Sequence, residues 1–317
     1  MFRRALLAAL ATPAIASGQT AWPSQPVRLI VPYAAGGPTD VAARLVAEAL
    51  AARLGQRVVV ENRTGAGTVV GSDAAAKARD GHSLLVATVA HAVNPALVAR
   101  LPFDPATDFR GVSLLGTVPQ VVLVNKELPV RDLAGFLALA KARPGQLSYG
   151  SAGQGSAQHL AAELMKVAAG VDMVHIPYRG AAPAVTDMIA GNLAMVIDSA
   201  ATALPQIRSG AVRALAVTSR EKLPLLPELP TVAGTLPGYE AYTWNALLAP
   251  VSTTEAAVAA MNAALAGLLR EGALRGRLEE LGIAVVGDLP PEGVDRFVAA
   301  EMTKWQGVLR QAGIRAE

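Results

Sequence analysis

A short apolar run, a glycine-bearing turn and a helical period repeat along this chain, and few architectures accept that rhythm. Residues 27–31 are strand-like. The next segment, 41–54, places Val41, Leu45, Ala49 and Ala52 on one helical face, and Gly55 ends it. Residues 57–61 return as a strand, a helical run spans about 71–78, and Asp80-Gly81 turns into a strand at 83–87. Strand–helix–strand units with such short connections point to α/β architecture built on a parallel sheet.

The pattern restarts downstream. Strands are expected at 120–125, 147–150, 173–177, 193–198 and 212–217, with helices at 130–143, 156–169 and about 182–190. The proline-rich stretch 223–230 admits no regular element. A strand follows at 242–250. Ser252-Thr253-Thr254-Glu255 reads as a capping box that starts a helix bearing Val258, Met261, Leu265, Leu268 and Leu269 on one side. A last helix buries Val294, Phe297, Val298, Met302, Trp305, Val308 and Leu309. A chain of 317 residues is too long for one ordinary core. The expected division is one lobe of 22–120 plus 246–317 and a second of 121–245. Two strand-like crossovers, near 118–126 and 241–250, would join them, with ligand in the cleft between.

The N-terminus has the layout of a secretory signal peptide over residues 1–16, cleaved near 16–21. Arg3 and Arg4 precede an apolar run over 5–16, and Ala14-Ile15-Ala16 supplies the small-residue cleavage pattern. That run is too short to span a bilayer. The chain contains no cysteine, so an exported form carries neither disulfides nor a lipidated cysteine. A free periplasmic monomer is expected. Lys and Arg total 28 against 25 Asp and Glu; without Arg3 and Arg4 the balance is 26 against 25. No basic block forms, and aromatic residues make up 4% of the chain, so a nucleic-acid footprint is not expected.

The turn Val31-Pro-Tyr-Ala-Ala-Gly-Gly-Pro-Thr-Asp40 carries the first sign of chemistry. A strand delivers the chain to Gly36 and Gly37, where backbone N–H groups can approach a ligand closely. Pro38, Thr39 and Asp40 then open a helix with unpaired amides and a positive dipole end. A carboxylate fits there without any cationic side chain; a tight turn alone explains the glycines equally simply. A second junction of the same kind holds Ser151, Gly155 and Ser156, with Ser156 placed to cap a helix. Two such junctions, one per lobe, can clamp opposite ends of one anion.

Other strand exits offer Thr88 to His91, Tyr178-Arg179-Gly180 and Asp198-Ser199. Asp198 would repel a carboxylate, so it either holds a water, hydroxyl or amino group or caps the following helix. Arg179 reads as an anion partner or a solvated surface residue, and Trp244 as a cleft wall or crossover packing. His82, His91, His159 and His175 lack metal-ligand spacing. Ser156 and His159 have the look of a nucleophile and base, yet no G-x-S-x-G elbow surrounds them. Phosphate-loop and dinucleotide fingerprints are absent. No cofactor, no metal and no catalysis are expected.

At these residues the chain resembles the Bug-type periplasmic solute-binding proteins, the receptors of tripartite tricarboxylate transporters. The resemblance runs from about Trp22 to Glu317 through "WPSQPVRLIVPYAAGGPTDVAARL", "VVVENRTGAG", "NPALVARLPFDPATDF", "GSAGQGSAQHLAAELM" and "VDMVHIPYRGAAPAVTDMIAG". It implies a type II periplasmic-binding-protein fold of two α/β lobes, a small carboxylated organic anion as ligand, and delivery to integral membrane subunits. It also implies ligand contacts from Tyr33, Gly36, Gly37, Thr39, Asp40 and Thr88 on one lobe. From the other come Ser151, Gly155, Ser156, His159, Tyr178 and Asp198. Thr64, His82 and Ser199 depart from the family's usual proline, aromatic and asparagine. An orphan sensor receptor of the same fold is the nearest alternative. A secreted α/β hydrolase would require Ser156 as nucleophile, and a transcriptional effector domain would require a DNA-binding helix pair.

Overall fold

One strand, β4 (Phe109–Asn125), runs through both halves of the molecule and changes partners midway. The computed structural model describes residues 22–178, 180–270 and 272–314. Over residues 109–119 β4 pairs antiparallel with β9 (Tyr242–Pro250); over 120–125 it pairs with β7 (Met195–Ser199) and β8 (Val212–Val217) instead. Pro119 stands at the changeover. A proline lacks the N–H that a continuous ladder requires, and here it faces Tyr242 as the last β9 pair before Gln120 opens the β7 ladder. The sequence pattern placed this strand at 120–125; the additional eleven residues lie before and across that proline.

The lobe-one sheet runs β2 (Val58–Asn62), β1 (Val27–Val31), β3 (Ser83–Ala87), β9, β4, with β10 (Ala284–Val285) on β4. β1 is parallel to both neighbours. Every residue of β3 is buried, as a parallel strand covered on both faces requires. α1 (Pro38–Leu54) packs Ala42, Ala43, Val46, Ala47 and Leu50 against this sheet and α8 (Glu255–Arg270). The small alanines on that face let helix and sheet approach closely. α2 (Val69–Ala76), α3 (Val89–Leu97) and α9 (Gly272–Glu280) complete the lobe.

Lobe two orders β4, β7, β5 (Ser148–Ser151) and β6 (Val174–Pro177), with β8 on the other side of β4. β5 is parallel to both β6 and β7. Its helices are α4 (Leu133–Ala142), α5 (Ala157–Ala169), α6 (Ala181–Ile189) and α7 (Ala200–Arg208). The last helix, α10 (Pro291–Gln311), contacts α3 of lobe one and α5 of lobe two, so its Trp305 and Leu309 belong to a core cluster shared by both. Residues 223–230 form no regular element, as expected.

One helix was not anticipated, and one expectation is corrected. α3 follows β3 directly and was not legible, because Pro95 inside it reads as a helix breaker. The cap of α8 is Thr254, whose Oγ1 accepts the Ala257 amide at 3.3 Å; the Ser252 hydroxyl instead donates to Ala78 O at 2.8 Å. The signal peptide expected over residues 1–16 lies outside the described residues.

Candidate ligand-binding site

The parallel strands β1 and β3 of lobe one, and β5 and β7 of lobe two, each end at a turn into a helix. A contact joins the two sets: a Cβ on Gly155, in the β5–α5 turn, would come within 2.6 Å of Leu97 Cδ1 at the end of α3. Gly155 is buried and holds φ +72°, a conformation that only glycine adopts without strain.

In lobe one, Gly36 (φ +83°) turns the chain and Gly37 precedes Pro38 as the α1 N-cap. The Gly36 amide donates to Asp40 Oδ2 at 2.8 Å and is therefore already used. Asp40 is 1% exposed. Its carboxylate also accepts Arg44 Nε at 2.9 Å, Arg44 Nη2 at 3.0 Å and Asn62 Nδ2 at 2.8 Å. The Arg44 hydrogen bonds, ahead of the Gly36 amide and Asn62, hold this carboxyl down at about 2. Asp40 is thus a permanent anion whose acceptors are consumed inside the turn.

Further donors lie two residues on. Val41 N bonds Gly37 O at 3.0 Å, the first bond of the helix, whereas the Thr39 and Asp40 amides have no acceptor among the described residues. Tyr33 and Thr88 join the neighbouring turns: their hydroxyl oxygens are 2.6 Å apart, and Thr88 also caps α3 by accepting the Ala90 amide at 3.3 Å. Burial raises the Tyr33 phenol, so it stays a neutral hydrogen-bonding group.

Lobe two repeats the design. Gly155 N–H donates to His159 Nδ1 at 3.2 Å, and Ser156 Oγ caps α5 by accepting the His159 amide at 3.3 Å. The amides of Ala157 and Gln158 are left without an acceptor among the described residues. Ser151 is fully buried, with its Oγ 2.7 Å from His175 Nε2 and accepting the Gly153 amide at 3.1 Å. In both lobes the glycines shape the turn, and amides without an acceptor among the described residues include those in the first turn of the helix behind them. The Gly36 and Gly155 amides, expected to approach a ligand, are hydrogen-bonded within their own turns.

The remaining candidates separate. Asp198 is buried; burial raises its carboxyl, and its oxygens accept the Ser199 amide and the Thr202 hydroxyl, both at 2.8 Å. It is not the α7 N-cap, a place held by Ser199. Tyr178 donates to Asp187 Oδ2 at 2.6 Å, and that bond pushes its phenol up to about 12. Trp244 is completely buried, its Nε1 donating to Glu301 Oε2 at 3.0 Å, so it packs at the crossover and does not line a cleft. Arg179 lies outside the described residues. His82 stacks on Trp22 and accepts the Ser24 amide at 3.1 Å, anchoring the segment before β1.

Residue-by-residue reading missed two features. His175 and Tyr149 sit opposite each other in the β5–β6 register and stack with His159; alternation along both strands and the Glu163–His159 helical spacing were the available signals. Gln120 and Asn245, on the two crossover strands, are buried with Oε1 and Oδ1 unpartnered. Among the described residues no cluster of His, Cys, Asp or Glu is arranged to hold a metal. A cavity of about 440 Å³ lies at the opposite end of lobe two, bordered by Asn125, Gln146 and Asn192, and contains none of the candidate residues.

A family model described as the tripartite tricarboxylate transporter family receptor (TctC) matches residues 42–314. Among solved structures, Rpa4515 of R. palustris with adipate is 36% identical with a TM-score of 0.84, covering 93% of this chain and 100% of that one. The periplasmic binding protein BugD is 33% identical with a TM-score of 0.81, over 93% of this chain and 100% of its own. MatC from Rhodopseudomonas palustris with bound malate is 33% identical with a TM-score of 0.79, over 91% and 100% of the respective chains.

Proposed function

Since this chain belongs to the tripartite tricarboxylate transporter receptor family, we propose that it captures a small organic dicarboxylate between its lobes and presents the closed form to integral membrane subunits. One observation carries the ligand class. α1 in lobe one and α5 in lobe two each begin at a glycine turn and leave first-turn amides without acceptors among the described residues, Thr39 and Asp40 in the one, Ala157 and Gln158 in the other. Helix N-termini stabilise carboxylates through those N–H groups and the helix dipole. No cation is needed, and the one beside the lobe-one turn, Arg44, is committed to Asp40. Adipate and malate, bound by relatives at 36% and 33% identity, each carry two carboxylates, one for each donor set.

Function follows from where the contacts lie. Contacts drawn from both lobes exist together only when the lobes close, so ligand shifts the population towards closure. A membrane partner then distinguishes loaded from empty receptor by shape. Neutral hydroxyls at Tyr33 and Thr88 and the buried carboxyl of Asp198 suit the uncharged middle of such a ligand. The family description and the leader pattern in residues 1–16 support a periplasmic setting, and we read the receptor as a monomer.

Titration calorimetry of the mature protein against succinate, malate, adipate and glutamate, paired with small-angle scattering, tests the reading. Binding of at least one dicarboxylate with a fall in radius of gyration is expected. A silent panel, or a binder that leaves the dimensions unchanged, refutes it.

A further inference from the structure

Two imidazoles stand behind the lobe-two turn. The rings of His159 and His175 lie 4.2 Å apart at 21°, and Tyr149 extends the stack 4.9 Å from His175. Each ring reaches the turn by a different bond. His175 Nε2 meets Ser151 Oγ, which in turn accepts the Gly153 amide, and His159 Nδ1 accepts the Gly155 amide directly. We infer that His159 and His175 are positioning residues that hold the turn 151–156 in its ligand-ready shape, and that His159 does so only as a neutral ring. The inference for binding rests on the proposed function above; the claim about the turn does not.

Hydrogen-bond arithmetic supplies the reason. The Gly155 N–H needs a lone pair at Nδ1, which the Nε2–H tautomer of neutral imidazole provides and imidazolium does not. Protonation of His159 sets two donors face to face at a buried site, so the amide loses its acceptor. Ser151 responds differently. Its single hydroxyl proton can pass to Gly153 O, 3.1 Å away, leaving Oγ to accept from His175 Nε2–H in either charge state. The sensitive bond is therefore the one at Gly155.

The surroundings keep His159 neutral. Burial and the facing His175 ring depress its titration to about 4, with Glu163 pulling the other way and Lys166 opposing Glu163. Glu163 itself accepts the Tyr149 hydroxyl, and it accepts Lys166 Nζ at 2.7 Å. From β7, Asp198 is occupied by Ser199, Thr202 and the Gln158 side chain. From β9 and α10 come Tyr242, Glu301 and Lys304, with Glu301 accepting both Trp244 and Trp305. Removing His175 takes away a like charge, so His159 becomes easier to protonate.

The test is amide hydrogen exchange by NMR on the ligand-free mature protein, with adipate calorimetry in parallel. In wild type the Gly155 protection factor should fall at least about tenfold between pH 7 and about pH 4. His159→Asn, which offers a non-titrating acceptor near the place of Nδ1, should keep protection at both. His159→Phe should lack it at both, and His175→Gln should raise the His159 titration midpoint. Parallel loss in wild type and His159→Asn overturns the inference; so does retained Gly155 protection in His159→Phe, or an unmoved midpoint in His175→Gln. Should adipate fail to bind wild type, the dicarboxylate reading fails for that ligand, while the protection factors still decide the role of the histidines.

Discussion

Asp40 accepts the amide of Gly36 across the turn that opens α1, and the same carboxylate grips Arg44 one helical turn onward. The negative charge at the mouth of a proposed anion site is thereby spent on the turn's own shape. Exchanging that carboxylate for a neutral amide of nearly the same size changes the charge alone, so Asp40→Asn isolates its contribution. The variant should lose about 1–3 kcal/mol at pH 7 through weakened charge-assisted bonds. The native carboxyl sits at about 2 against an ordinary 3.8. Its contribution is therefore present above pH 4 and lost as pH falls through 2. Urea unfolding of both proteins from pH 7 down to 2 should show the gap closing over that window.

Gly155 tests the contact between lobes. Alanine there must adopt φ +72° and push against Leu97. Gly155→Ala should destabilise by roughly 2–4 kcal/mol, combining backbone strain with overpacking. Gly210→Ala is the control, since Gly210 has φ +68° and open space around it; strain alone should cost about 1–2 kcal/mol. Equal losses in thermal melts would show that the Leu97 contact carries no energy.

His91 is a buried imidazole between Phe103 and Phe109, with Nε2 bonded to Pro105 O at 3.2 Å and Nδ1 unpartnered. Burial lowers it from 6.5 to about 4. Such a group favours folding above pH 6.5 and loses that contribution as pH falls through 4, because the unfolded chain takes up the proton first. His91→Phe should cost about 1 kcal/mol at pH 7.5 through the lost bond and a tighter fit. At pH 5 the order should reverse, since wild type has then lost about 2 kcal/mol. Chemical denaturation at the two pH values decides it.

Glu301 accepts the indole N–H of both Trp244 and Trp305 at 3.0 Å. Glu301→Ala strands two buried donors and should destabilise by about 2–5 kcal/mol. Glu301→Gln retains one acceptor oxygen and should lose about half as much. Unfolding followed by tryptophan fluorescence separates the two, and a harmless alanine variant would contradict the assigned bonds.

The α/β rhythm, the helix starting near Pro38, the cap at Ser156 and the irregular run 223–230 were all readable, because each depends on residues a few places apart. The same holds for the two glycine turns. What each turn does with its amides was not readable. Gly36 and Asp40 are close in sequence, yet the Asp40 carboxylate is completed by Asn62 from another strand. Likewise Ser151 meets His175 only because β5 and β6 pair in register.

Sequence alone determined the two-lobe α/β design and the places where the chain turns, since periodicity, glycine and proline act locally, and its motifs carried the resemblance to the family. Only the tertiary structure decided that the Gly36 and Gly155 amides are used inside their turns, while those of Thr39, Asp40, Ala157 and Gln158 have no acceptor among the described residues. It also decided that β4 starts eleven residues early and crosses Pro119. The physical reason is common to both: a donor is free, or a strand continuous, only according to what lies beside it in space, and those neighbours come from distant parts of the chain.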